Sequence, residues 1–143
     1  MVKILLERGD VNPDRPDRYG RIPLWCAAEN GHGEVVEMLL WQSDVNPNKQ
    51  DTHGKTPLLC ATASGREGVV KTLLERDNVD VNKPGESGET PLWWVAKNGH
   101  VGIVEMLLGR DDVNPNRPDK CNRTPLWCAA GNGHGKVVEM LLG

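Results

Sequence analysis

The sequence predicts an all-α solenoid of helix-turn-helix units joined by β-turn finger loops, and three observations carry that prediction. Ile22-Pro23-Leu24 returns as Thr56-Pro57-Leu58, Thr90-Pro91-Leu92 and Thr124-Pro125-Leu126, always 34 residues on. The apolar block that begins at Val36 returns at Val70, Val104 and Val138, and between Pro23–Leu40 and Pro125–Leu142 only Glu29/Gly131 and Glu34/Lys136 differ. Apolar residues make up only 38% of the chain, and Phe is absent. Such a chain is short of material for one thick core but can bury a thin one by stacking one small unit repeatedly.

The units follow in order. Residues 1–16 read as the end of a partial repeat, 17–50, 51–84 and 85–118 as full repeats, and 119–143 as a last, truncated one, all within a single domain. Val2, Ile4, Leu5 and Leu6 match the closing apolar block one period earlier. A signal peptide needs a longer apolar run, and Glu7 and Arg8 interrupt this one, so none is expected.

Within a unit, Thr56-Pro57 has the grammar of a helix start: the hydroxyl caps a free amide and proline is preorganised at the first helical position. The first helix runs through Leu58, Cys60 and Ala61 and stops near Gly65. The second carries Val69, Val70, Leu73 and Leu74 on one stripe. Turn-rich connections such as Asn46-Pro47-Asn48 and Asp51-Thr52-His53-Gly54 follow. Ile22 has no hydroxyl, which predicts a first-helix start weaker by roughly 1 kcal/mol. The third unit deviates most, with Val79-Asp80-Val81-Asn82, Gly85 in place of Asp, and Trp94 and Val95 in place of Cys and Ala. The larger pair implies local repacking or an exposed ring.

The string Asp51-Thr-His-Gly-Lys-Thr-Pro-Leu, followed by Ala61, Gly65, Val69-Val70 and Leu73-Leu74, resembles the ankyrin repeat, as do Gly31-His32, Gly99-His100 and Gly133-His134. The resemblance spans the chain. Two departures stand out. Trp25, Leu59, Trp93 and Trp127 replace the usual His after Thr-Pro-Leu, and the period is 34 where 33 is common. The extra residue falls in the Asn12-Pro13-Asp14, Asn46-Pro47-Asn48 and Asn114-Pro115-Asn116 connections. Trp-Cys-Ala-Ala with this longer loop resembles the ankyrin arrays of fungal proteins, often attached to nucleotide-binding signalling domains.

Residues that carry chemistry elsewhere have simpler roles in a stack. Cys26, Cys60 and Cys128 share one repeat position, so stacking separates them by about 10 Å, beyond disulfide reach, and they read as buried core thiols. Cys121 falls on a turn tip and is expected to be exposed. No cysteine pair has zinc-site spacing, and free thiols fit a reducing, cytoplasmic location. His32, His100 and His134 are kept apart by the same stacking and are expected to tie the turn to the second helix. Neither the Cys26…His32 spacing nor the glycine-rich segment Gly131-Asn-Gly-His-Gly has the context of a nucleophilic or phosphate site. No enzyme activity and no cofactor is expected. Asn122-Arg123-Thr124 is a formal sequon, but Asn122 replaces the turn glycine of other units and is expected in the left-handed region. Trp25, Trp93 and Trp127 read as packing residues with one edge exposed, and Trp41 as partly exposed.

The resemblance implies a concave face lined by finger tips and first helices. Its matching positions are Arg18, Tyr19, Arg21, Glu29 and Asn30, then Thr52, His53, Lys55, Ala63 and Ser64. They continue with Glu86, Ser87, Glu89, Lys97 and Asn98, and end with Lys120, Cys121, Arg123, Gly131 and Asn132. The residues agree independently: units nearly identical along their helices differ at these tips, which is what a modular binding surface requires. Six cations and three anions among them contrast with the −3 of the whole chain. Glu86 and Glu89 interrupt the basic track, so a mixed-charge protein or peptide partner is expected, not nucleic acid. No membrane partner is expected, for no apolar run reaches spanning length. The alternative is a spacer array that associates end to end, Val2–Leu6 of one copy docking near Leu141-Leu142 of another.

Overall fold

The computed structural model describes residues 10–143. Val2, Ile4, Leu5 and Leu6, and the partial repeat they were assigned to, lie largely outside the described residues. Among the described residues eight helices follow in pairs: α1 (Pro23–Glu29) and α2 (Gly33–Leu40), α3 (Pro57–Ala63) and α4 (Glu67–Leu74), α5 (Pro91–Asn98) and α6 (Val101–Leu108), α7 (Pro125–Gly131) and α8 (Gly135–Leu142). The first helices α1, α3, α5 and α7 pack side by side in one layer, and α2, α4, α6 and α8 form a second layer behind them. The described residues contain no strand.

Each first helix begins as its sequence dictates. Thr56, Thr90 and Thr124 are extended, and their hydroxyls accept from the amides of Leu59, Trp93 and Trp127. Ile22 has the same backbone but makes no side-chain cap. It is fully buried instead, so apolar burial replaces the missing hydrogen bond. The core is the thin strip expected. Leu24, Leu58 and Leu92 from the first helices meet Val36, Val70, Val104, Leu39, Leu73 and Leu107 from the second helices, all buried. In the last pair the equivalent Leu126, Val138 and Leu141 are only half-buried, because one neighbouring unit covers them and not two.

Three devices join the units. The finger tips form a main-chain ladder: Thr52 N donates to Tyr19 O at 2.9 Å, Glu86 N to His53 O at 3.1 Å, and Lys120 N to Ser87 O at 3.0 Å. The connections that follow the second helices build an amide ladder through Asn48 of Asn46-Pro47-Asn48 and Asn82 of Asp80-Val81-Asn82. Asn48 Nδ2 donates to Asn78 O while its Oδ1 accepts from Asp80 N, and Asn82 repeats this with Asp112 O and Asn114 N. Finally, the Arg110 guanidinium donates to the carbonyls of Leu74, Arg76 and Val79, covering the exposed end of α4, and pairs with Asp112 at 2.8 Å.

The histidines differ from expectation. None of His32, His100 and His134 caps its own second helix with a side-chain bond. His134 Nε2 reaches back to Lys97 O of the preceding unit at 2.9 Å, and Arg66, at the same repeat position, reaches Glu29 O. The His100 and His134 rings lie against Gly65 and Gly99, where an added Cβ would come within 2.9 and 2.6 Å of ring atoms. Those glycines also hold φ of 69° and 75°, so both the turn and the close approach require them. The residue therefore staples unit to unit because the ring passes over a glycine of its neighbour.

Candidate functional site

The fingers present the tip residues in a common geometry. Asp17 Oδ1 accepts from the amides of Tyr19 and Arg21, Asp51 Oδ1 from those of His53 and Lys55, and Asp119 Oδ1 from those of Cys121 and Arg123, all at 2.9 Å. The fourth finger turns on Asn122, the one described non-glycine residue with positive φ, at 64°, as its replacement of a glycine predicts. The third finger has Gly85 where the others have Asp. It therefore keeps the turn bond from Gly85 N to Glu89 O but lacks the carboxylate.

Two of the arginines are held down. Arg21 pairs with Asp17 at 2.7 Å and Arg123 with Asp119 at 2.8 Å. The side-chain bond from Arg21 holds the Asp17 carboxyl below its ordinary value. Burial works to raise the Asp119 carboxyl, but the amide and guanidinium of Arg123 and the amide of Cys121 outweigh it and hold it low as well. The surplus of six cations over three anions is thereby reduced, for Asp17 and Asp119 each neutralise one arginine.

Three depressions run side by side along this face. One of about 250 Å³ is lined by Tyr19, Arg21, Trp25, Asp51, His53 and Lys55. The next, about 350 Å³, is lined by His53, Lys55, Leu59, Gly85, Glu86, Ser87, Glu89 and Trp94. The third, about 260 Å³, is lined by Trp93, Lys97, Arg123, Trp127, Cys128, Gly131 and Asn132. They bring together most of the tip and helix positions read from the sequence. Arg18, Glu29, Asn30, Thr52, Ala63, Ser64, Asn98, Lys120 and Cys121 stand outside them. Arg18 stacks on Tyr19, its guanidinium 4.9 Å from the ring centroid. Asn30 bonds back to Cys26 O, and Glu29 lends its carbonyl to Arg66. Thr52 and Lys120 serve the tip ladder through their amides while their side chains stay exposed, as does Cys121.

The tryptophans are walls of this groove, a role the sequence reading did not give them. Trp25 is buried and its Nε1 donates to Lys55 O at 3.1 Å. Trp93 is equally buried, but its Nε1 has no acceptor. Neither shows the open edge expected. Trp127, with no following finger above it among the described residues, is 58% exposed. Trp94 is half-buried and meets Trp93 edge-to-face at 5.3 Å and 76°. Cations cover these rings. Lys97 Nζ sits 5.3 Å from the centroids of both Trp93 and Trp94, Lys55 Nζ 6.0 Å from Trp94, and the Arg123 guanidinium 5.5 Å from Trp93 and 5.6 Å from Trp127. These separations suit cation–π attraction. The recurrence of Trp after Pro-Leu was legible; that Cys26→Trp94 in repeat register opens a second ring into the groove needed the neighbouring finger.

Trp41 is more open than expected at 71%, away from the groove, with Arg76 stacked 5.0 Å from its ring. The thiols follow their burial. Cys60 and Cys128 are buried and Cys121 is exposed, but Cys26 is only half-buried. Burial pushes the Cys26, Cys60 and Cys128 thiols above their ordinary value, away from the thiolate a nucleophile needs. Among the described residues no group of three or more His, Cys, Asp or Glu is placed to hold a metal ion. No helix there is long and apolar enough to cross a membrane.

Paired helices at a fixed period, fingers at one edge and a groove of variable residues define a helical repeat solenoid. The chain belongs to the ankyrin repeat family: the family description "Ankyrin repeats (3 copies)" matches residues 1–85 and again 77–143. Members are in general protein–protein interaction modules and typically non-catalytic scaffolds. No curated protein matches the chain.

Proposed function

We propose that the chain is a protein-binding scaffold, part of a longer array, that holds a protein or peptide in the groove between finger tips and first helices. The observation that supports this most is the run of three adjoining depressions on one face. Their outer walls are finger-tip positions at which otherwise near-identical units differ, set against Trp rings, most of which recur at one repeat position. Tyr and Trp rings beside Arg and Lys are the residue types that anchor interfaces. Glu86 and Glu89 break the cationic track, which favours a mixed-charge protein over a phosphate backbone. Four free thiols suit a reducing compartment such as the cytoplasm. The scaffold works by presentation, and no side chain of the groove is assigned a catalytic role.

The test is affinity capture from source lysate with the wild-type chain and with an Arg18→Glu, His53→Ala, Lys55→Glu variant. Arg21 is better left intact because it holds its own finger together. A protein captured by the first and lost by the second supports the groove; equal capture rejects it. The second reading, self-association, draws on the exposed Trp127 and Leu142, 58% and 70% accessible. Sedimentation showing only monomer at high concentration would remove it.

A further inference from the structure

Resting on the groove reading above, we infer that the depression between the third and fourth units receives a carboxylate side chain of an extended peptide. The adjoining depression would receive a basic side chain about three residues away in the same peptide.

The charges along the groove are sorted. The depression walled by Trp93 and Trp127 has two cations, Lys97 and Arg123, and no carboxylate among its lining residues. Arg123 is already paired with Asp119, whose side chain is 1% exposed beneath it, so Lys97 is the cation left for a ligand. Lys97 is exposed, and no carboxylate among the described residues pairs with it. It is particular to this unit: the repeat position holds Glu29 in the first unit, Ala63 in the second and Gly131 in the fourth. Trp93 lines the same depression, and its indole N–H lies buried without an acceptor, a state that ordinarily costs about as much as a lost hydrogen bond. The unpaired Lys97 beside the exposed Trp127 ring asks for an acceptor-rich anion carried on apolar carbon, which is the chemistry of a Glu or Asp side chain.

The neighbouring depression is the opposite. Glu86 and Glu89 line it with Lys55 and with His53, whose Nδ1 lies 3.8 Å from Glu86 Oε2, so Glu89 is the carboxylate left for a ligand. The Trp94 ring, which lines it, also lies against Lys97. Packed helices stand about 8–10 Å apart, and a peptide in the polyproline II conformation advances about 3.1 Å per residue with three residues per turn, so side chains three apart share a face. One unit of groove therefore matches about three residues of peptide, and the sorted charge fixes its direction.

The experiment is to pan a displayed library of random peptides on the 143-residue chain and synthesise the enriched sequences. The expected peptides carry a basic and an acidic residue about three apart. They shift the indole N–H signals of Trp93 and Trp127 in NMR spectra. Lys97→Glu should weaken them at least ten-fold, and exchanging the peptide acid for Lys should restore binding to that variant. Peptides that lose affinity with His53→Ala but need no acid, or that ignore Lys97→Glu, would overturn this inference and leave the groove standing. No enrichment, or binding indifferent to Tyr19→Ala, His53→Ala and Lys97→Glu alike, would overturn both.

Discussion

Trp25 and Trp93 occupy one repeat position, on the same turn of equivalent helices, both buried, and their surroundings differ. Trp25 satisfies its indole N–H on the next finger, while Trp93 leaves its own unpartnered and gains Trp94 and Lys97 beside it. In the first unit those two positions are Cys26 and Glu29. The backbone of a repeat makes positions equivalent; the residues that take no part in stacking decide what each position offers a ligand.

Substitution at the two rings should separate these contributions. Trp25→Ala and Trp93→Ala should each cost about 3–5 kcal/mol in denaturant unfolding, since both remove a buried indole. Trp→Phe is sharper. At Trp25 it deletes a hydrogen bond and should cost about 1 kcal/mol more than at Trp93, where none is lost. Equal costs would mean the Lys55 bond contributes nothing net. The fingers give the next comparison. Gly20 and Gly88 hold φ of 77° and 87°, and an added Cβ would stand 3.2 Å from the Asp51 and Thr52 main chain or 2.9 Å from Lys120 N. Alanine should cost about 1–2 kcal/mol at Gly20 for the left-handed backbone alone, and more at Gly88.

The helix starts differ too. Thr90→Ala should lose about 1 kcal/mol with its cap. Ile22→Thr gains a cap but removes buried apolar surface, so it should still destabilise, and a net gain would show that burial never replaced the hydrogen bond. The smallest effect is the response to acid. Asp17, Asp112 and Asp119 all have lowered carboxyl values in the fold. Their stabilisation is therefore complete above the ordinary carboxyl value of 3.8 and is lost as pH falls through the depressed folded values. Thermal melts should fall below about pH 4, and Asp119→Asn should flatten that fall.

Much of the fold was legible because each unit carries its own local instructions. Thr-Pro starts, glycine stops and the apolar stripe are short-range signals, and even the left-handed Asn122 follows from the glycine it replaces. What escaped reading lies between units. The reach of His134 to Lys97 O, the grip of Arg110 on the Leu74 carbonyl at the end of α4 and the Asn48 and Asn82 amide bonds all join residues some 30 or more positions apart, and no local pattern states the distance across the seam. The groove was read in outline: its tip residues followed from variation among units, but its aromatic walls did not, because the same Trp is covered at Trp25 and open at Trp127.

The tip ladder has a consequence of a different kind. Its bonds run from amide to carbonyl, so side-chain identity plays no part in joining one finger to the next. The tip residues other than the turn glycine and aspartate can therefore be rewritten without unzipping the neighbour, and whole cassettes can be duplicated, deleted or exchanged so long as the asparagine seam is kept. A lineage with such a chain can explore new partners by recombination, at a pace that core-bound binding sites cannot match.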